Sequence, residues 1–217
     1  MSVENLSIGV IGGTGEQGRG LARRFAMSGH KVVIGSRDAA RANEIATAEG
    51  IANLTGSDNV TVARECDISI IAVPWAGHEA TLKELAGDLA GKIVIDCVNP
   101  LGFDGQGAFA LAVPEGSACQ QAEAILTESR VVGAFHHVSA VLLLDPEVDE
   151  IDTDVLVLGD DREATDLVQA LVARIPSIRG IYAGRLRNAG QVESFTANLI
   201  SMNRRYKGHA GLRITDV

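Results

Sequence analysis

Lysine is scarce in this 217-residue chain, with only Lys31, Lys83, Lys92 and Lys207. Cysteine is scarce too, and no apolar run reaches the roughly 18 residues of a membrane span. The three cysteines, Cys66, Cys97 and Cys119, have no CxxC spacing, and an odd count suits reduced thiols in a cytosolic protein, not a disulfide framework. The start, MSVENLSIGVIGG, has no basic segment ahead of a long apolar one, so no secretory leader is expected. Net positive charge is also missing. With 28 acids against 19 Lys plus Arg, the chain carries −9, which argues against nucleic acid as the main partner because phosphate neutralisation needs a basic surface.

What is present is a packed globular composition, 46% apolar with 24 glycines. Charge is unevenly divided. Residues 174–217 hold eight basic side chains and two acids (Glu193 and Asp216), a local +6 that leaves −15 on residues 1–173. Something in that last fifth suits an anion.

Short runs rich in Val and Ile, at Leu6–Ile11, Lys31–Ile34, Asp67–Val73, Lys92–Cys97 and Arg130–Phe135, alternate with amphipathic stretches. Nearly continuous apolar strands are covered on both faces, so the pattern predicts an α/β Rossmann fold, a doubly wound parallel sheet. Helices are expected over 18–28, 39–49, 76–90 and 117–127. The glycine-rich segment Pro100–Pro114 reads as a long loop, and the acidic stretch after Ala140 as a helix-poor connection. A strand at Val155–Leu158, a helix over 162–174, a short strand at Ile181–Tyr182 and a last helix over 188–206 form a small C-terminal α/β appendage. The expected division is residues 1–145, the dinucleotide-binding domain, and residues 146–217, the appendage.

Gly13, Gly15 and Gly18 form GxGxxG directly after the first strand and open a helix, with Thr14, Glu16 and Gln17 between them. In a βαβ unit this spacing supplies a tight turn, close backbone approach to a pyrophosphate and close helix packing, with free helix N–H groups for the phosphates. The second strand runs into Gly35-Ser36-Arg37, with no carboxylate at the tip to bind a ribose hydroxyl. Ser36, Arg37 and Arg41 instead suit a 2′-phosphate, which favours NADP over NAD, while Asp38 is the expected helix N-cap. Val73, Pro74 and Trp75 end the next crevice strand and are placed against the ribose and nicotinamide.

Acid–base machinery is what the site lacks. Reductases of small carbonyls need a proton donor. A Tyr and Lys at i and i+4 do not occur, because Leu186 follows Tyr182 and Ala210 follows Tyr206 at that spacing. His30, His78 and His209 have no metal-ligand spacing and are expected to take no part in chemistry. Hydride exchange between two redox cofactors needs only apposed rings.

With GGTGEQG, GSR, VPW, NPL, AFHHV and VESFT in this order, the chain resembles the NADPH:F420 oxidoreductases over about Leu6 to Ile214. The resemblance implies a homodimeric enzyme with direct, reversible hydride transfer between nicotinamide C4 of NADPH and C5 of coenzyme F420, without a metal. It implies Thr14, Gly15, Ser36, Arg37, Arg41, Val73 and Pro74 as NADP contacts. His136, Val138, Ser194, Thr196 and Leu212 are implied as contacts of the deazaflavin or of the paired rings, and the C-terminal segment as its cover and as part of the dimer. The chain departs from the family at His136-His137-Val138-Ser139-Ala140, where members often read HTIPA, and at Gly190, where some carry Arg. Cytosolic domains of transmembrane metalloreductases share the first two motifs, but no membrane part is expected here, since no apolar run is long enough to span. Two other readings use the same features: an NADP-dependent reductase of another small acceptor, a flavin or an imine, and an NADP-sensing regulator without turnover. F420 carries a phosphodiester and an oligoglutamate tail, which gives Arg204, Arg205 and Lys207 an anion to meet.

Overall fold

The computed structural model describes residues 3–217. In chain order its elements are β1 (Ile8–Ile11), α1 (Glu16–Met27), β2 (Val32–Ser36), α2 (Ala39–Ala48), β3 (Leu54–Asp58), α3 (Asn59–Glu65), β4 (Ile68–Ile71), α4 (Trp75–Leu89), β5 (Ile93–Asp96), β6 (Leu101–Asp104), β7 (Gly107–Ala110), α5 (Ala118–Ile125), β8 (Arg130–Gly133), α6 (Ala140–Leu144), β9 (Thr153–Gly159), α7 (Arg162–Val172), β10 (Ile178–Gly184) and α8 (Ala189–Tyr206). Eight strands form one sheet in the order β10-β9-β8-β5-β4-β1-β2-β3. All neighbours are parallel except β8 and β9. The order reverses between β1 and β4, and in such sheets the ligand crevice opens beyond the carboxyl ends of the strands at that point.

The central strands are apolar on both faces because both are covered. β1, β4 and β5 are buried at every residue. On one side Leu21 and Phe25 of α1, Ala42 and Ala46 of α2 and Val168 of α7 share a core. On the other, Val62 of α3, Leu82, Leu85 and Leu89 of α4 and Ala118 of α5 share a second one. Helix starts follow side-chain caps, with Asp38, Asp58, Ser117, Ser139 and Asp161 each accepting a backbone N–H of the first turn.

The structure departs from the sequence expectation in three places. β3 and α3, between Leu54 and Glu65, are absent from that expectation. β3 is an edge strand whose only buried residue is Leu54, so its pattern has almost no apolar signal. Within 100–114, β6 and β7 form an antiparallel hairpin instead of a loop, turning through Gly105 and Gln106 into Gly107, whose φ is +127°. The acidic connection holds the short helix α6, pinned to α1: Arg24, 3% exposed, donates to the carbonyls of Leu142, Leu143 and Asp145. The appendage extends the main sheet, since β9 pairs with β8 and β10 with β9.

Candidate active site

The first glycine turn is built by four glycines, not three. Gly12 has φ of +69°, a conformation that residues with side chains rarely adopt, and a Cβ there would meet Val73 Cγ1 at 2.5 Å. Gly13 donates its N–H to the carbonyls of Val10 at 3.1 Å and Gly35 at 2.9 Å, and a Cβ would strike Val10 O at 2.7 Å. Gly18 packs on Gly13, whose Cα lies 2.7 Å from where its Cβ would be. Gly15 differs, having nothing within 4 Å of an added Cβ. Protein packing does not demand glycine there, whereas a phosphate resting on the backbone at the start of α1 does.

That turn, with Thr14, Glu16, Gln17, Ser36, Arg37, Arg41, Val73 and Pro74, lines a cavity of about 750 Å³. Arg37 and Arg41 are exposed, and Ser36 is 9% exposed with its hydroxyl accepting from Asp38 N at 3.2 Å. Asp38 spends its carboxylate on Ala40 N and Arg41 N as the cap of α2. The cationic tip therefore has no competing acid in its own turn. Asn59, at the start of α3, completes this half: its Oδ1 accepts from Gly12 N at 3.1 Å, and the absence of a Cβ on Gly35 leaves room for it. Asn59 is not among the residues expected from sequence, because it is far from the motif in the chain.

A second cavity of about 770 Å³ adjoins the first, sharing Glu16, Gln17, Ala72, Val73 and Pro74. Its walls include Trp75, the turn Cys97–Asn99, the segment His136–Val141, Thr196, Asn203 and the tail Lys207–Ala210. The His136 carbonyl is held from two sides, by Thr196 Oγ1 at 3.0 Å and Asn99 Nδ2 at 2.6 Å. Gln17 Nε2 donates to Phe135 O at 3.2 Å, tying the first helix to the same strand end. Phe135 itself adopts φ of +64°, an uncommon conformation at a β-strand exit.

The His136 ring is turned inward. It is 3% exposed, its Nε2 lies 3.5 Å from Cys119 Sγ, and burial pushes its pKa down to about 4. The ring of His137, accepting from Leu156 N, is likewise held at about 4 by burial. Both are neutral at physiological pH. Glu193 lies beside His136 and Cys119 and accepts from Ala118 N and Cys119 N, while burial raises its pKa to about 6. All three cysteines are free and buried.

The remaining sequence candidates divide. Val138, Thr196 and Trp75 line the second cavity. Ser194 does not; its hydroxyl donates back to Gly190 O at 2.6 Å, and the residue faces a groove with Phe109, Phe195 and Asn198. Leu212 is outside the cavity lining, and its peptide pairs with the edge of β9: Asp154 N donates to Leu212 O and Leu212 N to Thr153 Oγ1. Of the three terminal cations only Lys207 reaches the crevice, while Arg204 and Arg205 face the hairpin beside Gln106 and Gly107. His209, which the sequence gives no role, lines the crevice with Nδ1 3.3 Å from Ser139 Oγ.

A reversal point between β1 and β4, a phosphate-ready glycine turn, a cationic second-strand tip and an adjoining second chamber define a Rossmann nucleotide-dependent oxidoreductase. Residues 7–100 match the family described as NADP oxidoreductase coenzyme F420-dependent. The chain is 36% identical over 224 residues to the F420-dependent NADP reductase of Methanothermobacter marburgensis, covering 98% of this chain and 99% of that one. It is 36% identical over 223 residues to the one from Methanocaldococcus jannaschii, covering 98% and 99% respectively. A crystal structure from Arthrobacter sp. FB24, described as a candidate F420-dependent NADP reductase, superposes with a TM-score of 0.84 at 26% identity, over 97% of this chain and all of that one. The chain belongs to the F420-dependent NADP reductase family.

Proposed function

We propose that this protein catalyses reversible hydride transfer between NADPH and coenzyme F420, with NADP(H) along the glycine turn and the deazaflavin in the second chamber. The observation that carries the reading is the shared wall: Glu16, Gln17, Ala72, Val73 and Pro74 border both cavities, so ligands in the two halves meet there. When bound, the nicotinamide supplies a hydride at C4 and the deazaflavin accepts it at C5. The chain's own task is to hold two rings face to face and exclude water. Thr14, Gly15 and the first amides of α1 seat the pyrophosphate. Ser36, Arg37 and Arg41 pair with the 2′-phosphate. Val73 and Pro74 support the ribose and nicotinamide. Trp75, Val138 and the carbonyl clamp of Thr196, Asn99 and His136 shape the deazaflavin chamber, and the tail 207–210 covers it. The neutral state of His136 and His137 adds no positive charge at the strand end that borders the chamber.

The homodimer is part of the proposal. Phe109 (44% exposed) of the β6–β7 hairpin lines a groove with Phe195 of α8, and Phe103 (69%) of the hairpin and Met202 and Tyr206 of α8 are further exposed apolar side chains on the same two elements, the kind of surface that marks association. The groove carries Ser194, so dimerisation through it would bring a partner against that residue. Three buried free thiols suit a cytosolic setting. Among the described residues no helix is long and apolar enough to cross a membrane.

The test is spectrophotometric. Protein, NADPH and oxidised F420 are mixed and the loss of deazaflavin absorbance is followed, with FMN and a cyclic imine as alternative acceptors. Turnover with F420 alone supports the proposal, and turnover with FMN or the imine but not F420 overturns it.

A further inference from the structure

His78 and Asp96 are both 0% exposed, yet neither lines the crevice. They meet behind it: His78 Nε2, in the first turn of α4, lies 2.6 Å from Asp96 Oδ2 at the end of β5. The other ring nitrogen, Nδ1, lies 2.9 Å from Gln121 Oε1 of α5. The orientation of that amide is fixed from its far end, because Gln121 Nε2 donates to the Glu115 carboxylate at 3.3 Å. Each ring nitrogen therefore faces an acceptor, and only the imidazolium has two N–H groups to give.

Other charges agree with this state. Burial alone would strip the proton, but Asp96 and, at longer range, Glu193 from α8 outweigh it and raise the His78 pKa above its ordinary value. The Cys97 and Cys119 thiols nearby are kept neutral by burial. The cation has two attachments to the crevice wall. Trp75 lies over it, with ring centroids 5.4 Å apart and planes at 34°, within cation–π range. Asp96, through its other oxygen, accepts from Val98 N at 2.9 Å and so shapes the Cys97–Asn99 turn. Trp75 and that turn both line the second chamber, and Asn99 holds the His136 carbonyl.

We propose that His78 is a positioning residue for hydride transfer, a buried imidazolium that fixes the Trp75 ring and, through Asp96, the Cys97–Asn99 turn, so that the chamber holds the two rings at one separation. This rests on the hydride-transfer reading for its kinetic consequence only; the ring state and the Trp75 contact stand apart from it. A buried ion pair is poor at adding stability and better at specifying one arrangement, which is the use made of it here.

The ring state is read first, by 15N NMR of the full-length protein labelled at histidine, at pH 7.5, with His78→Gln identifying the signal. Two protonated ring nitrogens at His78 are expected, and a neutral tautomer overturns the proposal. Position is read next. Trp75 is the sole tryptophan, and a neighbouring imidazolium quenches indole emission, so His78→Gln is expected to brighten it. The same variant is expected to lower kcat about tenfold while KM for NADPH stays within about twofold, since small misplacement of reacting atoms is costly. Unchanged emission and unchanged kcat overturn the positioning role. If His78→Gln folds poorly, Gln121→Leu serves, since it strips the acceptor from Nδ1: Trp75 emission and kcat that follow the ring's protonation state at pH 7.5 support the proposal, and a ring that turns neutral with emission and kcat unchanged overturns it. A wild-type protein inert toward F420 sinks the reaction reading while leaving the NMR and emission results to be read by themselves.

Discussion

Thr196 Oγ1 donates to the His136 carbonyl at 3.0 Å, which ties the last helix of the chain to the strand end that closes the nucleotide-binding half. The contact bridges 60 residues of sequence. It explains how a C-terminal segment with little apolar signal of its own becomes part of the crevice: the helix is held there by a backbone acceptor that no side-chain pattern announces. Thr196→Val, which keeps the shape and removes the donor, is expected to raise KM for F420 and leave that for NADPH nearly unchanged. Steady-state kinetics with each substrate varied in turn checks this.

Arg37 is the residue proposed to set the nucleotide. It is exposed at the tip of β2, and the only carboxylate in its turn, Asp38, is committed to capping α2. Arg37→Ala is expected to weaken NADP binding by roughly 10- to 100-fold, the worth of a charge-assisted hydrogen bond, with NAD affinity little changed. Isothermal titration with both nucleotides gives the ratio, and an unaltered ratio contradicts the assignment.

The terminal cations divide by position. Chain reversal at Lys207, where φ is +53°, carries it into the crevice, while Arg204 and Arg205 stay on the last turn of α8 against the hairpin. Neutralising Lys207 is expected to raise KM for F420 at low salt, and the difference should shrink as salt screens the charge. The Arg204→Gln, Arg205→Gln pair is expected to have less effect on that constant. Equal effects from both sets would contradict the division.

Acid should loosen this fold through its buried histidines. Free imidazole takes a proton below about pH 6.5, whereas His136 and His137 stay neutral in the folded protein down to about pH 4. Between those values the unfolded chain binds more protons, so stability rises with pH and is lost as pH falls from about 6.5 toward about 4. His137→Gln is expected to remove about one proton from that slope in denaturant melts taken across the window. A slope equal to the wild type would show that His137 is protonated in the fold.

The C-terminal tail is fastened by one carboxylate. Asp154, fully buried, accepts from Arg179 at 2.7 Å on both oxygens, from Arg213 at 2.6 Å and from Ile214 N at 2.6 Å. The Arg179 guanidinium holds its carboxyl below the ordinary range. The stabilisation is therefore present above the unfolded value near about pH 3.9 and disappears as pH falls through the lower folded one. Asp154→Asn is expected to lower the melting temperature by a few degrees and, by freeing residues 207–210, to raise KM for F420.

Features set by neighbours along the chain are legible in the amino-acid sequence. Gly13, Gly15, Gly18, Ser36 and Arg37 lie where local spacing puts them, because a strand, a turn and a helix are consecutive in the chain. Asn59 and His209 are not legible in that way, since each reaches the crevice through tertiary packing and neither sits in a motif, while Asn99 opens the NPL motif but its bond to the His136 carbonyl is a tertiary contact that the motif does not announce. His78 lacks metal-ligand spacing, but that rule does not address a ring bonded across three elements. The imbalance of charge in the last fifth points to an anion but does not sort its members: Arg179 and Arg213 are consumed by Asp154, Arg185 pairs with Asp160, and Lys207 alone of the final cations lines the crevice.

Direct transfer between rings held across the shared wall is most directly tested with NADPH carrying deuterium at the transferred C4 position, in ordinary water with oxidised F420. The reduced deazaflavin is then isolated and its C5 examined by mass spectrometry and NMR. The label retained at C5 is the predicted result. Complete exchange of the label with solvent hydrogen during turnover would contradict direct hydride transfer.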